Sequence, residues 1–144
     1  MSANELTHLK ISGCDTSPDT VALEQLRELH AFDNKIKTID PLIGQLKYLT
    51  IIDLRRNQLT ELPLELFECT TLVKMDISEN KITILPPELG MLKRLRVLYA
   101  NNNQLTELTP EIGALRELSE LYLNNNQLRE LPTNLIDLPK LRIL

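Results

Sequence analysis

The stretch LRVLYANNNQLTELTPEIGALRE, residues 95–117, is one period of a pattern that fills the chain. Its apolar residues and Asn103 follow the spacing Leu-x-x-Leu-x-Leu-x-x-Asn-x-Leu-x-x-Leu, with Ala100 in the third leucine position. The same frame restarts at Leu26, Leu49, Leu72, Leu95 and Leu118, so five 23-residue copies run without insertion from Leu26 to Lys140. A fixed period of this length marks a repeat array, whose units bury their apolar faces only against one another.

Within the period, Leu98 and Ala100 point one way and Val97 and Tyr99 the other, the alternation of a half-buried strand. Asn103 turns the chain, and Leu105 and Leu108 carry the core around the bend. Pro110 suits the start of a short helical turn, where its missing N–H has no partner to lose. Pro41, Pro63, Pro86 with Pro87, and Pro132 stand at or beside the equivalent place. Stacking brings successive strands into a parallel sheet at about 4.8 Å spacing. Each fully buried leucine then contributes roughly 1.5–3 kcal/mol, most of it offset by ordering the chain.

The ends depart from the pattern. Leu6, Leu9 and Ile11 are expected to open a shorter, degenerate repeat over 6–25, with Cys14 in the asparagine position. Leu141–Leu144 is expected to begin a further strand, so 1–144 is one domain. The edge there would present unpaired strand groups, a template for self-association.

The chain has 144 residues with a net charge of -4, which argues against nucleic-acid partners because these call for a basic face. Aromatics make up only 3%, so the core must be aliphatic. No apolar run is long enough for membrane insertion. Cys14 and Cys69 are too far apart in sequence to read as a disulfide framework. That points to a reducing compartment and, with no basic-then-apolar leader in MSANELTHLKISG, to the cytoplasm.

Several recurrent residues are structural. Asn34, Asn57, Asn80, Asn103 and Asn126 should stack into a buried ladder whose amides satisfy backbone groups. Cys14 and Cys69 should be buried thiols. Gly44, Gly90 and Gly113 share one position on the convex turn, where a small residue is wanted; Phe67 and Ile136 hold it elsewhere and would form a second contact site if exposed.

The residues between the core leucines face outward. The central column reads Lys10, His30, Asp53, Asp76, Tyr99, Tyr122. The column two residues earlier reads His8, Glu28, Ile51, Lys74, Val97, Glu120, and that two residues later Ser12, Phe32, Arg55, Ser78, Asn101, Asn124. Asp33, Arg56, Glu79, Asn102 and Asn125 follow Gly13 in the next. Charge gathers in the middle, and the C-terminal part is neutral with tyrosines flanked by asparagines. Tyr and Arg are enriched at binding hot spots. The expected partner-binding residues are Phe32, Asp53, Arg55, Arg56, Asp76, Tyr99, Asn101, Tyr122 and Asn124.

Catalytic arrangements are sparse. His30 and Asp53 should be neighbours across strands, but Ser12 is the only hydroxyl in the nearby columns and the sheet is open to water. Asp53 and Asp76 are too few oxygens for calcium, with Arg55, Arg56 and Lys74 near enough to neutralise them. No phosphate loop or zinc motif occurs. No cofactor, metal or catalytic residue is expected.

The repeats resemble the leucine-rich repeat family. The 23-residue period with LPPELGML, Leu85 to Leu92, is similar to its Ras-suppressor-type class, although Asp40 and Thr109 replace the first proline. The resemblance implies an α/β solenoid: a curved right-handed superhelix, parallel β-sheet on the concave face, short helical or 3₁₀ turns on the convex face. It implies a non-catalytic module binding a protein partner through the concave sheet, the class including scaffolds for small GTPases and adaptor proteins. The alternatives are the recognition segment of a larger signalling enzyme or bacterial effector, and a self-assembling repeat protein.

Overall fold

The computed structural model describes residues 5–11 and 25–142. Ser12, Gly13, Cys14 and Ile143–Leu144 lie outside the described residues, and with them the expected asparagine-site cysteine and part of the expected seventh strand. Five strands form one parallel sheet in sequence order: β2 (Glu28–His30), β4 (Ile51–Asp53), β5 (Lys74–Asp76), β6 (Val97–Tyr99) and β7 (Glu120–Tyr122). The register steps by one repeat: Glu28, Ile51, Lys74, Val97 and Glu120 are neighbours, as are His30, Asp53, Asp76, Tyr99 and Tyr122. Ile52, Met75, Leu98 and Leu121, between them, are fully buried. Alternation therefore sends one set to the core and the other to the sheet face, as the spacing predicts.

After each strand the backbone passes through a left-handed residue: Asp33, Arg56, Glu79, Asn102 and Asn125 have φ between 54 and 59°. Asn and Asp tolerate this conformation; Arg and Glu do so at a cost. The next residue is the ladder asparagine. Asn80 Nδ2 donates to the carbonyls of Leu54 (3.0 Å) and Ile77 (3.1 Å), and its Oδ1 accepts from Leu59 N–H at 3.0 Å. Asn57, Asn103 and Asn126 repeat this arrangement. Each amide thus joins consecutive repeats, accepting an N–H that would otherwise be buried unpaired and sharing each carbonyl with the next asparagine.

The chain then descends through a limb whose backbone also ladders, with Gln58, Lys81, Gln104 and Gln127 N–H donating to Ile36, Leu59, Ile82 and Leu105 carbonyls. Lys35 N–H donates to Leu6 in the same series at 3.0 Å. β1 (His8–Leu9) accordingly pairs with β3 (Thr38–Ile39) on this limb, with His8 opposite Thr38. The expected place of His8 and Lys10 in the concave columns is thereby corrected. Leu-x-x-Leu occurs twice per repeat, at strand and at limb, and the short segment Leu6–Leu9 takes the limb register. There it accepts the N–H groups of Lys35, Lys37 and Asp40, and Asn34 Oδ1 accepts Leu6 N–H at 3.3 Å.

The convex side carries five 3₁₀ helices: η1 (Pro41–Gln45), η2 (Leu64–Glu68), η3 (Pro87–Met91), η4 (Pro110–Ala114) and η5 (Thr133–Asp137). Each is preceded by a residue with φ from -74 to -63°, the range proline imposes. Asp40 and Thr109 reach it without a ring, and Asp40 Oδ1 also accepts Leu42 N–H at 3.0 Å as a cap. A Cβ at Gly44 would stand 2.8 Å from the Glu65 carbonyl oxygen, and one at Gly113 2.8 Å from that of Asn134, so these turns approach too closely for a side chain. Phe67, at the same position, is not an exposed contact residue: it is fully buried, in the turn pair η2–η3 that packs less closely than its neighbours. Ile136, on the last of the described turns, is 85% exposed. Cys69 is buried as expected; its thiol donates to the Ile43 carbonyl at 3.2 Å, and burial pushes its pKa up to about 11.

Candidate functional site

The concave sheet displays side chains from adjacent strands about 4.8 Å apart, close enough for each to meet its neighbour. Tyr99 and Tyr122 stack, ring centroids 4.6 Å apart and planes 16° from parallel. The Tyr122 hydroxyl donates to Glu120 Oε2 at 3.4 Å, and its pKa is raised, first by desolvation and then by the Glu120 charge. Asn101 is half-buried and Asn124 exposed beside the pair. Next along, Asn125 Nδ2 donates to Asn102 Oδ1 at 2.7 Å.

The other half of the face is charged and largely self-paired. The Arg55 guanidinium lies 4.8 Å over the exposed ring of Phe32 and reaches Asp53 Oδ2 at 3.5 Å. Arg56 Nε donates to both Glu79 oxygens at 3.2 Å, tying two left-handed residues together. Asp53 Oδ1 also accepts the Arg55 N–H, and Asp76 Oδ1 accepts both the N–H (3.0 Å) and the hydroxyl (2.5 Å) of Ser78. Asp76 is only 7% exposed, so of the nine expected contact residues it is the one that is buried. The serine two residues further on engages the carboxylate, a local closure that strand alternation does not predict.

Lys74 does not neutralise Asp53 and Asp76, as its place in the columns suggests. Its ammonium sits instead 5.3 Å over the Tyr99 ring, a cation–π contact. The sequence carries a signal for this: Lys74 precedes Tyr99 by one strand and one column, within diagonal reach on a parallel sheet. His30 does lie beside Asp53 in register, but its Nε2 pairs with Glu28 Oε2 at 3.1 Å, so no carboxylate from the next strand orients it. Among the described residues no group of three or more His, Cys, Asp or Glu is placed to hold a metal ion. A groove of about 570 Å³ lies off the sheet, on the flank formed by Ile84, Leu108, Thr109 and Leu131; the Thr109 hydroxyl there is engaged by Glu111. No helix among the described residues is long and apolar enough to cross a membrane.

Comparison with known proteins agrees with this architecture. Family models match over residues 47–105 (Leucine rich repeat), 24–66 (Leucine Rich repeats, 2 copies) and 117–138 (Leucine Rich Repeat). No curated protein matches significantly. A leucine-rich repeat protein of Leptospira interrogans superposes with a TM-score of 0.87 at 31% identity, covering 98% of this chain and 34% of that one. A plant peptide hormone receptor, solved in complex with RGF2, superposes at 0.82 and 26% identity, over 100% of this chain and 22% of that one. An internalin of Listeria monocytogenes gives 0.73 and 27%, over 89% and 37%. The chain thus spans little more than a third, or less, of the length of these relatives.

Proposed function

Because this chain belongs to the leucine-rich repeat family, generally a protein-interaction fold, we propose that it is a non-catalytic module that receives a protein partner on its concave sheet. The observation that carries the reading is the Tyr99–Tyr122 stack, an aromatic platform on β6 and β7 flanked by asparagines. Aromatic residues supply large contact area at little entropic cost and dominate binding hot spots. The charged half steers and orients an approaching partner. Small GTPases and adaptor proteins are the partner classes that the repeat type suggests. The buried free thiol of Cys69 fits a reducing compartment, for which the cytoplasm is our assignment.

The test is a pull-down from source-cell lysate with the wild-type chain and the Tyr99→Ala/Tyr122→Ala double variant. A protein held only by the wild type supports the reading. A folded double variant that keeps every captured protein sinks it.

A second reading, self-association, is supported by two exposed apolar side chains, Leu131 at 44% and Ile136 at 85%. Light scattering over a concentration series tests it; a monomer throughout removes it. A third, the recognition segment of a larger signalling enzyme or bacterial effector, is supported by the short span of the chain against its relatives. The coding sequence downstream of Leu144 tests it, and a stop codon there ends it.

A further inference from the structure

Most charged side chains of the concave face already have a hydrogen-bond or ion-pair partner. Glu28 is paired with His30, Asp53 with Arg55, and Arg56 with Glu79. Asp76 is held by Ser78, and Glu120 accepts from the Tyr122 hydroxyl. Among the described residues of the three strand columns, Lys74 is the only charged side chain with neither an ion pair nor a hydrogen bond. It is exposed, and the Tyr99 ring beneath it is backed on the next strand by Tyr122. Its neighbours in register are Ile51 and Val97, both half-buried and both uncharged.

This combination has a definite complement. An ammonium held against an aromatic ring has given up some hydration and some rotamer freedom before any partner arrives. A carboxylate that reaches it gains a charge-assisted hydrogen bond, while Ile51 and Val97 offer apolar surface on either side. The nearest acid on the same strand, Asp76, is buried and held by the N–H and hydroxyl of Ser78, and it makes no ion pair with Lys74.

We propose that Lys74, flanked by Ile51, Val97 and the Tyr99–Tyr122 stack, anchors an acidic side chain of the protein partner. The partner presents Asp or Glu next to an aliphatic residue at this point. The inference rests on the concave-face reading and adds the chemistry of what is bound there.

The experiment pans a random peptide display library against the 144-residue chain. Recovered peptides are then measured by fluorescence polarisation against wild type, Lys74→Met, Lys74→Glu and the Tyr99→Ala/Tyr122→Ala double variant. Lys74→Met keeps an apolar side chain over Tyr99 and removes only the charge. The expected binders are enriched in Asp or Glu beside Leu, Ile or Val, and bind Lys74→Met about tenfold or more weakly. Replacing their acid by lysine should restore binding to Lys74→Glu. Binders that need the tyrosines but carry no acid and ignore Lys74 overturn this inference and leave the concave-face reading standing. Binders indifferent to both the tyrosines and Lys74, or a library that returns no binder, overturn both.

Discussion

Tyr99 and Tyr122 lie one strand apart with their rings stacked 4.6 Å centroid to centroid, so the most aromatic part of the sheet face is also pre-ordered. Such a pair contributes about 0.5–1.5 kcal/mol beyond its buried area. A double-mutant cycle of Tyr99→Ala and Tyr122→Ala, read by urea unfolding, should return a coupling energy in that range. Coupling near zero would mean that the rings stack without stabilising each other, and would remove the argument for a rigid platform.

The convex turns set opposite demands at one repeat position. Gly44→Ala places a methyl 2.8 Å from the Glu65 carbonyl oxygen and should destabilise by about 1–3 kcal/mol. Phe67→Ala, at the equivalent place one repeat on, should cost about 3–5 kcal/mol by emptying a fully buried site. Denaturant unfolding of the two variants checks both. A Phe67→Ala chain as stable as wild type would show that the turns close over the space.

The asparagine ladder should be graded along the array. Asn80→Ala orphans the buried Leu59 N–H, at about 1–3 kcal/mol, whereas the Leu54 and Ile77 carbonyls each keep a second amide donor, from Asn57 and Asn103. Asn34 is only half-buried at the first rung, and its Phe32 carbonyl contact is exposed, so water replaces part of what Asn34→Ala removes. Equal losses at both sites in thermal unfolding would contradict this account.

Cys69 should report unfolding. With its pKa raised from 9.0 to about 11 by burial, the folded thiol stays protonated and shielded at neutral pH. In a Cys14→Ser background, labelling by a disulfide reagent should follow the opening rate. The sign for stability is that of an acid held neutral: the contribution is full below pH 9.0 and is lost as pH rises through about 11. Rapid labelling of the native chain at neutral pH would refute the burial.

Much of the molecule is legible as sequence. The 23-residue period fixes which residues share a column, because strand alternation and a constant repeat length leave one register that buries Leu95, Leu98 and their equivalents together. The ladder asparagines, the proline-led turns and the adjacency of Tyr99 with Tyr122 follow from that register. The N-terminal segment is not legible in this way, since Leu6-x-x-Leu9 satisfies both the strand and the limb pattern. Only the pairing of His8 with Thr38 distinguishes them.

The sequence by itself determined the architecture and the membership of each column, because periodicity dictates which side chains are buried together. The tertiary structure decided how neighbours within and between columns choose partners. It bound Asp76 to Ser78, paired His30 with Glu28 rather than Asp53, buried Phe67 and laid Lys74 on Tyr99. Those choices depend on side-chain geometry over a few ångströms and on competition among several possible partners. A one-dimensional repeat specifies who is adjacent but not which contact wins.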